Sequence, residues 1–154
     1  MAKVRQARPD DSRRYFDWLD RAGEDILCAN LLMASEPCYN NSAFHCQQAI
    51  EKALKAYILF HTGVLPDGHN LTWLCKKSVS IHSSFKQYLE MSTELNRCYI
   101  ETRYPADRLI DIGYREISRY YHMACEMYLF ICREVDSAII EGIEAATPRP
   151  PSRR

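Results

Sequence analysis

Between Ile112 and Glu144 apolar side chains recur every three or four residues: Tyr114, Ile117, Tyr121, Ala124, Tyr128, Ile131, Val135 and Ala138. No proline interrupts the run. That spacing places the apolar groups on one stripe of a helix. At 1.5 Å per residue the helix would be about 50 Å long. Such a rod has to bury its stripe against other elements, and the rest of the chain is suited to supply helices. It contains only five glycines, and its seven prolines sit mostly near the ends and in two loops, so long stretches are left unbroken.

Four further helices are expected. Pro9, Asp10, Asp11 and Ser12 form a helix-start cluster. Tyr15, Trp18, Ala22, Ile26, Ala29 and Met33 then follow at three-four spacing, which predicts a helix over about 11–35. A second covers about 40–61, with Ala43, Cys46, Ile50, Ala53, Leu54, Tyr57 and Phe60 on one side and Gly63 placed for a left-handed cap. Asn70 can cap a short third helix over about 71–79. A fourth is expected over about 84–102, with Phe85, Tyr88, Leu89, Leu95 and Tyr99 inward. Pro105 would stop it, because proline disfavours α geometry in the residue before it. With short loops, the simplest packing is an all-α, up-and-down bundle of about five helices with a long C-terminal helix. The expected organisation is a flexible N-terminus over 1–10, one bundle domain over 11–146 and a disordered basic tail, TPRPPSRR, over 147–154. The last helix also carries Tyr120, Met123, Met127, Phe130, Ile139 and Ile140 outside its main stripe. A helix that wide in apolar surface covers two neighbours or lies at a subunit interface, so a homodimer is expected.

Composition excludes several classes. Lys plus Arg equals Asp plus Glu at 20 each. A non-specific nucleic-acid binder shows a basic excess, because phosphate neutralisation supplies most of its affinity. The seven cysteines contain no C-x-x-C pair, and most fall at apolar-periodic positions. They read as reduced core residues of a cytoplasmic protein rather than metal ligands, and neither a metal nor a cofactor is expected. MAKVRQARPDD lacks the apolar region of a signal peptide, and no apolar run approaches the roughly 20 residues that span a bilayer.

Three clusters could carry chemistry. In AFHCQQAIEKALKAY, residues 43–57, the side opposite the apolar stripe holds His45, Gln48, Lys52 and Lys55, with Glu51 beside them and Phe44 nearby. An ordinary solvated face with a Glu51–Lys55 pair would show the same spacing, and that pair would be worth about 0.2–0.5 kcal/mol. A ligand site would use the same residues differently: glutamine supplies paired donor and acceptor groups, lysine charge, and histidine a switchable proton. In LNRCYIETRYP, residues 95–105, Asn96, Arg97, Tyr99, Arg103 and Tyr104 crowd the end of the fourth helix. Arg103 could neutralise helix carbonyls or bind phosphate bidentately. In GHNL, residues 68–71, Asn70 reads as a cap and His69 as a loop residue.

These segments, in this order and followed by the long terminal helix, resemble the HEPN domain, named for higher eukaryotes and prokaryotes nucleotide-binding. The resemblance covers about residues 12–143. It implies a compact helical bundle, usually dimeric, in a family whose members are often paired with a small nucleotidyltransferase as toxin and antitoxin. Its ribonuclease members use an arginine, a four- to six-residue spacer and a histidine. Here Arg97 is followed by Cys98, Tyr99, Ile100, Glu101, Thr102 and Arg103, with no histidine. A guanidinium cannot shuttle protons near neutral pH.

The expected function is therefore a non-catalytic module that binds a nucleotide or similar phosphorylated ligand, acting with a nucleotidyltransferase partner. Its candidate ligand residues are His45, Gln48, Lys52, Lys55, Asn96, Tyr99, Arg103 and Tyr104. Lys and Arg would meet phosphate, and Tyr99 or Tyr104 would stack on a base. Resemblance to toxins with a tyrosine near their motif also makes Tyr104 a conceivable target of nucleotide attachment. One alternative is a toxin ribonuclease acting on RNA through Arg115 and His122, two helical turns apart on the last helix. Another is a protein–protein interaction module using the polar row as its surface.

Overall fold

A computed structural model describes residues 8–99, 105 and 112–148. The described residues form five α-helices: α1 (Tyr15–Leu32), α2 (Tyr39–Thr62), α3 (Leu71–Ile81), α4 (Leu89–Asn96) and α5 (Tyr114–Ala146), with no strand among them. The all-α bundle with a long last helix is the architecture the periodicity predicts. Of the ends expected to be flexible or disordered, 1–10 and 147–154, residues 1–7 and 149–154 lie outside the described residues.

Local chemistry sets the helix bounds. α1 starts at Tyr15, four residues later than the expected start at 11. Ser12 Oγ accepts from the Arg14 N–H at 3.1 Å and donates to Asp17 at 2.6 Å, while the Trp18 indole N–H takes the Ser12 carbonyl at 2.9 Å. These bonds divert Ser12 from a helical ladder into a loop packed on the first turn. α2 ends where Gly63 adopts φ 71° and returns its N–H to the Leu59 carbonyl. This is the left-handed cap that only glycine adopts at little cost. Asn70 caps α3 by accepting the Trp73 N–H at 2.9 Å.

The fourth predicted helix is divided. Ser83–Tyr88 is a 3-10 segment, and α-helix begins only at Leu89. The tighter segment puts Phe85 and Tyr88, three residues apart, on one edge, since positions i and i+3 eclipse in a 3-10 helix. Both are buried. Tyr99, expected inside this helix, lies beyond the end of α4.

α2 occupies the centre, packed by α1, α3, α4 and α5. Its apolar stripe joins Leu71 and Leu74 of α3, Leu95 of α4 and Ile117, Met127 and Ile131 of α5 in one core. Tyr120, Met123 and Met127, expected as surplus apolar surface on α5, are buried within the chain's own core, whereas Ile140 is 55% and Ile143 62% exposed. From Asp136 to Pro148 none of the described residues is buried. No helix among the described residues is long and apolar enough to cross a membrane.

Candidate polar site on the central helix

Because α2 is covered on several sides, part of its polar face is shielded from solvent. Gln47 is fully buried, Glu51 is 4% exposed and Lys55 6% exposed. Burying charges without partners costs several kcal/mol per ion, and each buried charge here has one.

Two clusters share a plan. In the first, Asp25 projects from α1 and is itself buried. One carboxylate oxygen meets His45 Nδ1 at 2.8 Å and the other meets Lys52 Nζ at 2.5 Å. In the second, Glu51 Oε1 takes both Lys55 Nζ and His69 Nδ1 at 2.9 Å. Its Oε2 accepts from the Gln47 and Gln48 amides at 3.3 Å. Gln48 also donates to the Gln47 carbonyl oxygen at 2.8 Å, and Gln47 donates to the His69 backbone carbonyl at 3.2 Å. Each buried carboxylate thus bridges one lysine and one histidine. Since an ionised carboxylate only accepts, each Nδ1 carries the proton and donates it.

Aromatic rings line the same region. The His69 ring lies parallel to Tyr99, with an 11° tilt and 4.9 Å between centroids. Phe44 approaches Tyr99 at 6.1 Å and His45 at 6.0 Å. Lys55 Nζ stands 5.7 Å from the Trp18 ring centroid, within cation–π range. Trp18 and Lys52 also line an open cavity of about 530 Å³ on the α1–α2 seam, with Arg14, Asp17, Arg21 and Glu24 at its walls.

The structure therefore brings His45, Gln48, Lys52, Lys55 and Tyr99 into one neighbourhood. Asn96 has a local task as well: its side-chain oxygen accepts the Leu71 N–H at 2.8 Å at the start of α3. Arg103 and Tyr104 lie outside the described residues. Arg115 and His122 are exposed on α5, where His122 Nδ1 meets the Ser118 carbonyl at 2.6 Å. Sequence reasoning missed Asp25 and the involvement of His69. Asp25 left one trace, an acid three residues after Ala22 and four before Ala29 in a buried row that is otherwise apolar. His69 left none, because its partner is 18 positions away. Among the described residues no group of three or more His, Cys, Asp or Glu side chains could hold a metal ion, and no cysteine is in a disulfide.

A helical bundle with a carboxylate–histidine–lysine seam along its central helix is thus the class of protein in hand. The sequence matches the HEPN domain family over residues 15–135, and the chain belongs to that family. Among solved structures it is similar to TT1696 from Thermus thermophilus, at 25% identity and a TM-score of 0.68, covering 79% of this chain and 98% of that one. It is also similar to ST0689, an archaeal HEPN homologue, at 21% identity and a TM-score of 0.64, with the same coverage. The second likeness is one of fold. No curated protein sequence matches significantly.

Proposed function

We propose that this HEPN domain is a non-catalytic module that binds a nucleotide or similar phosphorylated ligand beside α2. It would work with a nucleotidyltransferase partner in a toxin–antitoxin type of pairing. The observation that carries the binding reading is the concentration of hydrogen-bonding side chains and rings where α1, α2 and the segment before α3 meet. His45, Gln48, Lys52, His69 and Tyr99 are all half-buried or exposed there, on a rigid central helix and the chain beside it. Sites of that kind combine a few oriented polar groups with aromatic walls. Lys52, Arg14 and Arg21 line the adjoining cavity, which leaves space beside these groups for the rest of the ligand.

A thermal-shift scan of purified protein with ribonucleotides tests the proposal. A ligand at 100 times its Kd stabilises by about 2.7 kcal/mol. At roughly 2–4 °C per kcal/mol for a chain of this size, the melting temperature should rise by about 5–11 °C. No rise with any nucleotide rejects the reading. The partner is tested by co-purification with the product of an adjacent gene, if that gene encodes a nucleotidyltransferase.

We also propose a homodimer formed through the exposed apolar residues of α1 and α5, among them Leu27, Leu31, Leu129 and Ile140. Light scattering should then give twice the 18.0 kDa chain mass. A monomer at micromolar concentration refutes the dimer and leaves the binding reading standing.

A further inference from the structure

The charges along α2 cancel in pairs. Lys52 lies against Asp25 and Lys55 against Glu51, with the lysine side chains 26% and 8% exposed. A phosphate approaching either ammonium would compete with a carboxylate already in contact in a partly desolvated seam, and would leave that carboxylate without its cation. The adjoining cavity repeats the balance. Arg14 is bonded to Asp17 and Arg21 to Glu24. Among these described residues the seam therefore has no surplus positive charge to offer a phosphate.

The imidazoles are differently placed. With Nδ1–H donated to a carboxylate, the neutral ring keeps its lone pair on Nε2. His69 is held by three restraints: Nδ1 on Glu51, its ring parallel to Tyr99, and its carbonyl on the Gln47 amide. Its side chain is nevertheless 53% exposed. His45 has the same arrangement on Asp25, with a side chain 30% exposed. The groups that face His69 are Glu51 and Lys55 from α2 and Tyr99 from beyond α4. Those that face His45 are Asp25 from α1 and Lys52 from α2. The site thus offers two oriented acceptors beside an aromatic patch.

We propose that the site reads the nucleoside part of its ligand rather than the phosphate, with His69 Nε2 accepting a hydrogen bond from a sugar hydroxyl or an exocyclic amine. This rests on the nucleotide-binding reading above and narrows it. His69 is then a specificity-determining residue, while Lys52 and Lys55 hold the carboxylates that orient the two rings.

Calorimetric titration near pH 8 with ribonucleosides, their monophosphates and inorganic pyrophosphate decides the matter. The expected result is a nucleoside affinity within about threefold of its monophosphate, no pyrophosphate binding, and a change under about twofold between low and moderate salt. The last follows because binding without phosphate contacts is weakly salt-dependent. His69→Phe keeps the ring on Tyr99 and removes the acceptor, and should weaken binding by about tenfold or more, the scale of one lost directional bond. His69→Gln places an amide oxygen near the lost Nε2 and should restore most of the affinity. Both variants leave Glu51 its bonds to Lys55, Gln47 and Gln48, and the wild-type comparison needs no variant at all. Salt-sensitive binding of monophosphates and pyrophosphate without nucleosides overturns this inference while the nucleotide-binding reading survives. Unchanged nucleoside affinity in His69→Phe also overturns it. If no compound binds, both fail.

Discussion

Replacing Lys55 by Met tests whether α2 carries a buried ion pair or a surface one. The substitution keeps the length of the stem and removes the ammonium together with its cation–π contact on Trp18. The Glu51 carboxylate, with a side chain 5% exposed, then retains His69 Nδ1 and the two glutamine amides. Removing one partner of a buried pair costs about 3–5 kcal/mol. Three remaining donors favour the lower end of that range, so about 3 kcal/mol is expected. For a chain of this size the melting temperature should fall by roughly 6–12 °C. A solvated i,i+4 pair would cost about 0.2–0.5 kcal/mol, so the two readings differ by a factor that urea denaturation resolves easily. The double variant Glu51→Gln, Lys55→Met removes both charges and should recover most of the loss, because replacing a buried pair by uncharged groups is close to neutral. A loss below about 1 kcal/mol in Lys55→Met, or simple additivity in the double variant, refutes the reasoning.

Three other outcomes follow from particular contacts. A Cβ on Gly23 would lie 2.8 Å from the Tyr128 hydroxyl, which donates to the Leu19 carbonyl, so Gly23→Ala should cost about 1–2 kcal/mol by crowding despite alanine's better helix propensity; Tyr128→Phe should offset part of that loss in chemical denaturation. Burial lowers the pKa of His61 below its ordinary 6.5, so the unfolded chain takes up the proton first and the fold loses stability as pH falls through that value; in melts between pH 7.5 and 5.5, His61→Gln should flatten the decline. Asn96→Ala removes the acceptor for the Leu71 N–H and should cost about 0.5–2 kcal/mol, the range for a lost helix cap, in chemical denaturation.

What the sequence discloses depends on whether a residue's fate is decided nearby. Ile117, Ala124, Ile131 and Val135 reveal α5 because burial of one helix face leaves a three-four trace in the chain itself. Gly63 and Asn70 disclose helix ends for the same reason, since a cap acts within one turn. The pair Phe85 and Tyr88 fits both an α-helix and a 3-10 helix, as a three-residue step is common to the two, so spacing alone cannot separate them. Glu51 and Lys55 look like solvated residues because their burial is imposed by α1 and by the segment before α3. His45 and Lys52 were legible as a row on one face, but the carboxylate joining them comes from another helix.

A chain under selection for stability alone would have little reason to keep this seam. Apolar side chains of similar volume commonly stabilise as well as a buried ion pair or better. What apolar groups cannot do is hold two imidazoles in a fixed tautomer beside Tyr99 and Phe44. The lysines then have a clear part in the design: each balances the carboxylate that a ring requires, so these described pairs carry no net charge. A site with surplus positive charge would attract any phosphate, whatever it was attached to. A neutral one has to discriminate by direction, through where its lone pairs point and which face of a ring it covers. That is why the decisive comparison for this protein is nucleoside against pyrophosphate, rather than one phosphorylated ligand against another.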